Sequence, residues 1–287
     1  MAEVVRPQNL AEAVAVAAGG GVTLAAGCTD LFPATQSRAL AGPVLDLSGI
    51  RELRGISSSS EGWRIGAMTT WTEVVRAPLP PAFEALRTAA RDVGSIQIQN
   101  AGTVGGNLCN ASPAADGVPC LLALDARVEL HSAAGSRVIG LNEFLKGPRR
   151  TDLRKGEILT AVLIPADAAK GASAFEKLGA RRYLVISIVM AAARIEARME
   201  ARGGVVADAA IAVGSCSPVA LRLAAQETAL IGAPLSRAAE RVTVALVGPA
   251  LSPIDDIRSD AAYRRHAATE IVRRAVGRAA LAAGQGA

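Results

Sequence analysis

Between Gln97 and Asp116 the chain reads QIQNAGTVGGNLCNASPAAD, a stretch crowded with small, amide and hydroxyl residues. Gly105 and Gly106 carry no Cβ and are free to take positive φ. Backbone N–H groups there can approach a ligand closely and converge on an anion. Thr103, Asn107, Asn110 and Ser112 add hydroxyl and amide partners. Pro113 suits the first turn of a following helix with Ser112 as its cap, and a helix start beside a glycine-rich loop favours a pyrophosphate. Asp116 would repel phosphate. It suits either a ribose or ribityl hydroxyl, from which it would accept, or the cap of a local helical turn. The spacing is neither G-x-G-x-x-G nor a Walker A loop. A second glycine-bearing turn, Ala26-Gly27-Cys28-Thr29-Asp30, follows a short apolar strand directly. It can present N–H groups to the same ligand or serve as an ordinary strand exit.

Other chemistries find little material. His131 and His266 are the only histidines, which argues against a Ser-His-Asp triad or a multi-histidine metal site. Both read as surface or packing residues. Cys28, Cys109, Cys120 and Cys216 include no C-x-x-C pair. That is poor for zinc or an iron–sulfur cluster, and free thiols are expected. No catalytic side chain and no metal ligand is nominated.

Half of the 287 residues are apolar while aromatics make up 3%, so the core must be packed from Ala, Val, Leu and Ile. Aromatic platforms for stacking bases are not expected. The net charge is +5, but apart from Pro148-Arg149-Arg150 and Arg181-Arg182 the arginines are scattered. Nucleic-acid binding would call for a clustered basic face. A solvated surface is expected, with some Arg left for an anionic ligand or an acidic partner. The start lacks the pattern of a signal peptide, and no run of about 18 apolar residues could span a bilayer. A cytoplasmic protein without a membrane span is expected.

These residues need elements to position them. Leu10, Val14 and Ala17 share a helical face, and Gly19-Gly20-Gly21 ends that helix. Apolar strands at 22–25 and 44–47 complete a small α/β lobe ending near Ile50. Beyond it the pattern predicts a strand at 63–67, a helix at 81–93, an apolar helix at 118–124 and a hairpin of 128–131 with 137–139. A strand at 158–164 follows. Residues 165–171 mark a boundary, after which 185–196 and 209–215 pair around Gly203-Gly204. Helices at about 221–231, 236–247 and 260–282 finish the chain, the last capped by Ser259 or Asp260.

Taken together, the two loops resemble the FAD-binding medium subunit of the xanthine dehydrogenase and carbon monoxide dehydrogenase family of molybdenum hydroxylases. The first loop of that family reads like A-G-G-T-D-hydrophobic-x-P, and here it is Ala26 to Pro33. The second, T-I/V-G-G-N-x-x-N/H-x-S/D-P-x-x-D, is matched at every named position by Thr103 to Asp116. Ile65 to Thr70, Glu157-Ile158-Leu159, Lys177 to Arg182 and the pattern Tyr263 to Ala275 extend the resemblance over nearly the whole chain. It implies an α+β fold: a two-lobed FAD-binding domain of the vanillyl-alcohol-oxidase (PCMH) type over 1–168, with lobes of about 1–52 and 53–168, and a smaller α/β C-terminal domain over 169–287. The implied FAD contacts are Ala26, Gly27, Cys28, Thr29, Asp30, Thr103, Val104, Gly105, Gly106, Asn107, Asp116, Leu159 and Lys177. Lys177 would stabilise negative charge on the reduced ring, or be an ordinary surface lysine.

The resemblance further implies an electron-transfer subunit. Molybdopterin and 2Fe–2S clusters would sit on two partners, a large molybdopterin subunit and an iron–sulfur subunit, in a dimer of heterotrimers. Three departures bear on this. Cys28 replaces the second glycine of the first loop, Gln99 stands where many relatives have Arg, and Tyr183-Leu184-Val185 replaces an acidic pair associated with NAD. The alternatives are a self-contained flavoprotein oxidase and a non-catalytic nucleotide-binding assembly subunit. Substrate and electron acceptor are not encoded in these motifs.

Overall fold

The computed structural model describes residues 3–36, 40, 42–201 and 203–286. The first lobe contains β1 (Val4–Val5), α1 (Leu10–Gly19), β2 (Thr23–Ala25), α2 (Leu31–Ala34) and β3 (Val44–Asp46). Its strands are parallel in the order β1-β3-β2. Asn9 caps α1 by accepting from the Glu12 N–H, and the helix buries Ala13, Val14 and Ala17 against Leu45 and Leu47. Gly20, at φ 70°, ends it in a conformation that only glycine takes without strain.

The second lobe starts with β4 (Ile56–Ser59) and β5 (Gly62–Gly66). Helices α3 (Trp71–Arg76), α4 (Glu84–Asp92), α5 (Ile96–Ala101), α6 (Val104–Asn110) and α7 (Gly117–Ala123) follow. It continues through β6 (Arg127–Ser132), β7 (Gly135–Gly140), α8 (Leu141–Phe144), the small pair β8 (Leu145–Gly147) and β9 (Arg150–Thr151), and β10 (Ile158–Pro165). The main sheet is antiparallel in the order β4-β5-β10-β6-β7.

The C-terminal portion is a four-stranded antiparallel sheet of β11 (Ala172–Leu178), β12 (Val189–Glu200), β13 (Gly203–Gly214) and β14 (Leu221–Arg222), in that spatial order. Then come α9 (Ala224–Leu230), α10 (Val244–Val247) and the long α11 (Ala261–Gln285), capped by Asp260. Side chains alternate across a strand. Val189, Ala191, Ala193 and Ile195 of β12 pack under α11, whereas Met190 and Ala192 join the core of the second lobe with Phe175, Ala210 and Ala212. The sheet is therefore buried on both faces, and its inner face shares one core with α4 and α7.

Several expectations are corrected. Ser112 and Pro113 do not start a helix: residues 112–116 form turns, and α7 begins at Gly117. The carbonyl of Pro113 instead accepts from the Ser215 N–H at 3.0 Å, tying this segment to the C-terminal sheet. Residues 221–222 form a strand rather than the start of a helix, because they pair with Ala212 and Val213 at the sheet edge. The helix expected over 236–247 is divided: Leu235–Arg241 winds as tight turns, and α10 spans four residues after Thr243. The strand expected from 185 begins at Val189.

Candidate cofactor site

A cavity of about 530 Å³ opens where the two lobes meet. Ala26 to Leu31 line it from the first lobe. Thr103, Gly105, Gly106, Asn107 and Asn110 line it from α6 and its cap, and Ile158 and Leu159 from β10. Two segments 77 positions apart, 26–30 and 103–107, thus share one wall.

Glycine explains how they come so close. A Cβ on Gly27 would lie 2.0 Å from the Ala101 carbonyl oxygen and 2.9 Å from the Gly102 Cα. Gly102 is constrained as well, though less severely, since its Cβ would meet the Ile98 carbonyl oxygen at 2.9 Å. The turn after β2 therefore rests backbone against backbone on the end of α5.

Gly105 and Gly106 play a different part from the one expected. Neither has positive φ; both lie in the first turn of α6. A Cβ on Gly105 would lie 2.7 Å from the Ala67 Cβ, so this glycine lets α6 press onto the strand exit at Ala67. The N–H groups of α6 are already engaged. Val104 donates to Thr69, Gly105 to Ala67, Gly106 to the Thr103 hydroxyl and Asn107 to the Thr103 carbonyl, at 2.8–3.1 Å.

The free donors lie in the first loop. Among the described residues, no protein acceptor receives the N–H groups of Gly27, Cys28, Thr29 or Asp30. Asn107, which lines the same cavity, has a side-chain Oδ1 that is buried without a partner. Buried polar groups are rarely left unmatched. A run of N–H donors with an orphaned amide oxygen fits a ligand that brings an anion and hydrogen-bond donors, as a flavin dinucleotide does. Met68, Trp71, Ile98 and Leu153 supply apolar wall that motif reasoning missed. Trp71, one of two tryptophans and almost wholly buried, carried no sequence signal beyond its rarity.

Cys28 sits at φ 58°, in the left-handed region. The glycine it replaces in the family pattern would take this conformation freely. Burial, and secondly the charge of Asp46, pushes its thiol above the ordinary range. Burial pushes the Cys109 thiol up to about 12. Both cavity thiols therefore stay protonated near neutral pH.

Val104, Asp116 and Lys177 lie outside the cavity lining. Val104 is fully buried in the core. Lys177 is no surface lysine: only 10% of its side chain is exposed, and its Nζ donates to the Asp116 Oδ2 at 2.5 Å. The Ser187 hydroxyl donates to the other oxygen at 2.6 Å. Asp116 makes no capping bond to α7. Burial pushes its carboxyl above the usual range, with Lys177 and Ser187 opposing. The trio joins the second lobe to β11 and the entry to β12.

No helix among the described residues is long and apolar enough to cross a membrane, and these residues hold no cluster of three or more metal-ligating side chains. Residues 1–167 match the model of the FAD binding domain in molybdopterin dehydrogenase, and residues 173–279 that of the CO dehydrogenase flavoprotein C-terminal domain. The nicotinate dehydrogenase FAD-subunit of Eubacterium barkeri is 34% identical over 77% of this chain and 75% of that one. The glyceraldehyde dehydrogenase medium chain of Sulfolobus acidocaldarius is 31% identical over 91% of this chain and 92% of that one. The structure of CO dehydrogenase from Oligotropha carboxidovorans superposes with a TM-score of 0.88 at 30% identity, covering 99% of both chains. A cavity with donors for a dinucleotide, in a chain matched along nearly its full length, leads to one assignment: it belongs to the FAD-binding subunits of the molybdenum-dependent dehydrogenases, the family of the CO and xanthine dehydrogenase flavoproteins.

Proposed function

We propose that this chain holds FAD between its lobes and serves as the electron-transfer subunit of a heterotrimeric molybdenum hydroxylase. Electrons would arrive from 2Fe–2S clusters on one partner, originate at a molybdopterin site on a larger partner, and leave to an external acceptor. The observation that carries this is the run of N–H groups Gly27–Asp30, unengaged among the described residues, on the wall of a cavity that Asn107, with its orphaned Oδ1, also lines. FAD, when bound, supplies exchange between one- and two-electron carriers.

The chain's own residues bind and position. The N–H groups of Gly27 to Asp30 would hold the pyrophosphate, and the Asn107 Oδ1 would accept from a hydroxyl or ring N–H. Thr103, Gly105, Gly106 and Leu159 shape the wall, while Met68, Trp71 and Ile98 exclude water. The Asp116–Lys177–Ser187 trio fixes the C-terminal sheet against the lobe that bears the cavity. A self-contained oxidase would need a base beside the flavin. The cavity thiols are protonated near neutral pH, and the Asp30 carboxylate is paired with Arg149 at 2.6 Å.

Two measurements test this. Protein purified from its native host should release one FAD per chain on denaturation and should bring down an iron–sulfur and a molybdopterin subunit in equal amounts. A colourless chain that takes up no FAD on reconstitution overturns the cofactor assignment. A lone chain whose flavin is reduced directly by an organic substrate overturns the electron-transfer role in favour of the oxidase.

A further inference from the structure

We infer that Arg149 is a retention clasp for the dinucleotide, closing the rim of the cavity from one lobe to the other; the inference rests on FAD occupying this cavity. Arg149 follows β8 in the second lobe, and its guanidinium donates to the Asp30 carboxylate of the first lobe at 2.6 Å. The same group contacts the Asn110 side chain at the end of α6. Asp30 and Asn110 both line the cavity, and both ion-pair partners are about half exposed, at 57% and 49%, so the bridge lies on its rim.

The backbone is built to put the side chain there. Arg149 sits at φ 58° and Ala111 at φ 47°, both in the left-handed region. The Arg149 N–H donates to the Ala111 carbonyl at 2.9 Å, locking these two turns together. Such conformations cost energy and persist where the surrounding contacts fix them. Here the fixed turn directs a long cation over a site whose free donors await an anion.

Charge gives the clasp its purpose. Asp30 ends the run of N–H donors, and its bare carboxylate would repel a pyrophosphate held by that run. Arg149 cancels this charge and adds donors of its own, a geometry to which a planar guanidinium is suited. It also ties the two walls together, so the dinucleotide leaves only when the bridge opens.

The test is the rate of FAD release from the full-length chain, followed as FAD transferred to an excess of a flavin-scavenging apoprotein that is separated from the chain before the flavin is assayed. Arg149→Gly keeps the left-handed turn and removes only the side chain; Asp30→Asn removes the other half. Arg149→Gly should release FAD up to about fivefold faster at low salt, the range for a partly exposed ion pair; Asp30→Asn opens the bridge but also removes the repelling carboxylate, and should be faster than wild type by less. The double variant should be no faster than Arg149→Gly. The gap to wild type should close in about 1 M salt, where such a pair is screened. Arg149→Lys should fall between wild type and Arg149→Gly. If Arg149→Gly fails to fold, Arg149→Asn, which tolerates the left-handed turn and also removes the cation, carries the test. Wild-type release rates in the folded variants at low salt overturn the clasp and leave FAD binding standing. A wild-type chain that binds no FAD overturns both.

Discussion

At residue scale, the two loop positions Gly27 and Cys28 obey opposite constraints. Gly27 is glycine for space: a methyl group there meets the Ala101 carbonyl oxygen at 2.0 Å. Gly27→Ala should therefore push the loop off α5, cost about 1–3 kcal/mol of stability, and weaken FAD binding; an unchanged FAD titration would disconnect this turn from the site. Cys28 is the reverse case, since the conformation is left-handed and the residue is not glycine. Cys28→Gly should relieve about 1 kcal/mol of backbone strain, partly offset by the greater freedom of glycine in the unfolded chain. A small rise in thermal midpoint with full FAD retention is expected, and a fall would show that the Cys28 side chain packs better than its geometry indicates. The sequence made the place of this loop legible but not the reasons. The motif 103–116 pointed to glycines with positive φ, whereas Gly105 and Gly106 are helical and serve packing. Close backbone approach depends on which segment lies opposite, and Ala101 is 74 positions away.

At element scale, periodicity located most strands and helices, and it failed where tertiary pairing overrode local preference. The 128–139 hairpin was legible from alternation and turn residues, and so was the pairing of the next two strands, although Gly203 and Gly204 open β13 and do not form the turn itself. The two faces of β12 were not, because Ala191, Ala192 and Ala193 look alike on either side. The anchoring of α11 was hidden too, since it depends on one buried arginine. Arg264 is 3% exposed and donates to the carbonyls of Ile188 and Ser215 at 2.8 and 2.9 Å and to Asp256 at 2.7 Å. Burial opposes the charge on Asp256, yet the Arg258 N–H and the Arg264 guanidinium prevail and hold its carboxyl down to about 2. A depressed carboxyl stabilises the fold above its unfolded value of about 3.9. That contribution is lost as pH falls toward the folded value. Asp256→Asn should therefore be less stable than wild type near neutrality, with the difference shrinking between about pH 4 and pH 2. Urea midpoints across that range check it; a constant gap would mean that Asp256 titrates alike in the folded and unfolded chain.

At the scale of the whole molecule, residues 165–171, where the sequence suggested a domain limit, do not mark a break through the core. Phe175, Met190 and Ala210 share a cluster with Leu86 and Leu121, and in the middle of that seam sit Asp116, Lys177 and Ser187. Family motifs named Asp116 and Lys177 as cofactor contacts, but the sequence held no sign that they would face each other across 61 positions. Ion pairs this well buried seldom repay their desolvation, yet breaking one by removing a single partner is costly. Lys177→Met leaves the Asp116 carboxylate with Ser187 alone and should destabilise the chain by about 3 kcal/mol. Asp116→Leu combined with Lys177→Met replaces the pair with apolar side chains and should recover most of that loss. Because the core is continuous, each variant should still unfold in one transition, read alike by near- and far-ultraviolet circular dichroism. FAD retention adds a second readout. If the pair works by seating the C-terminal sheet against the cavity-bearing lobe, the double variant should regain FAD along with stability. Recovered stability with FAD still lost would instead make Lys177 or Asp116 a direct partner of the cofactor.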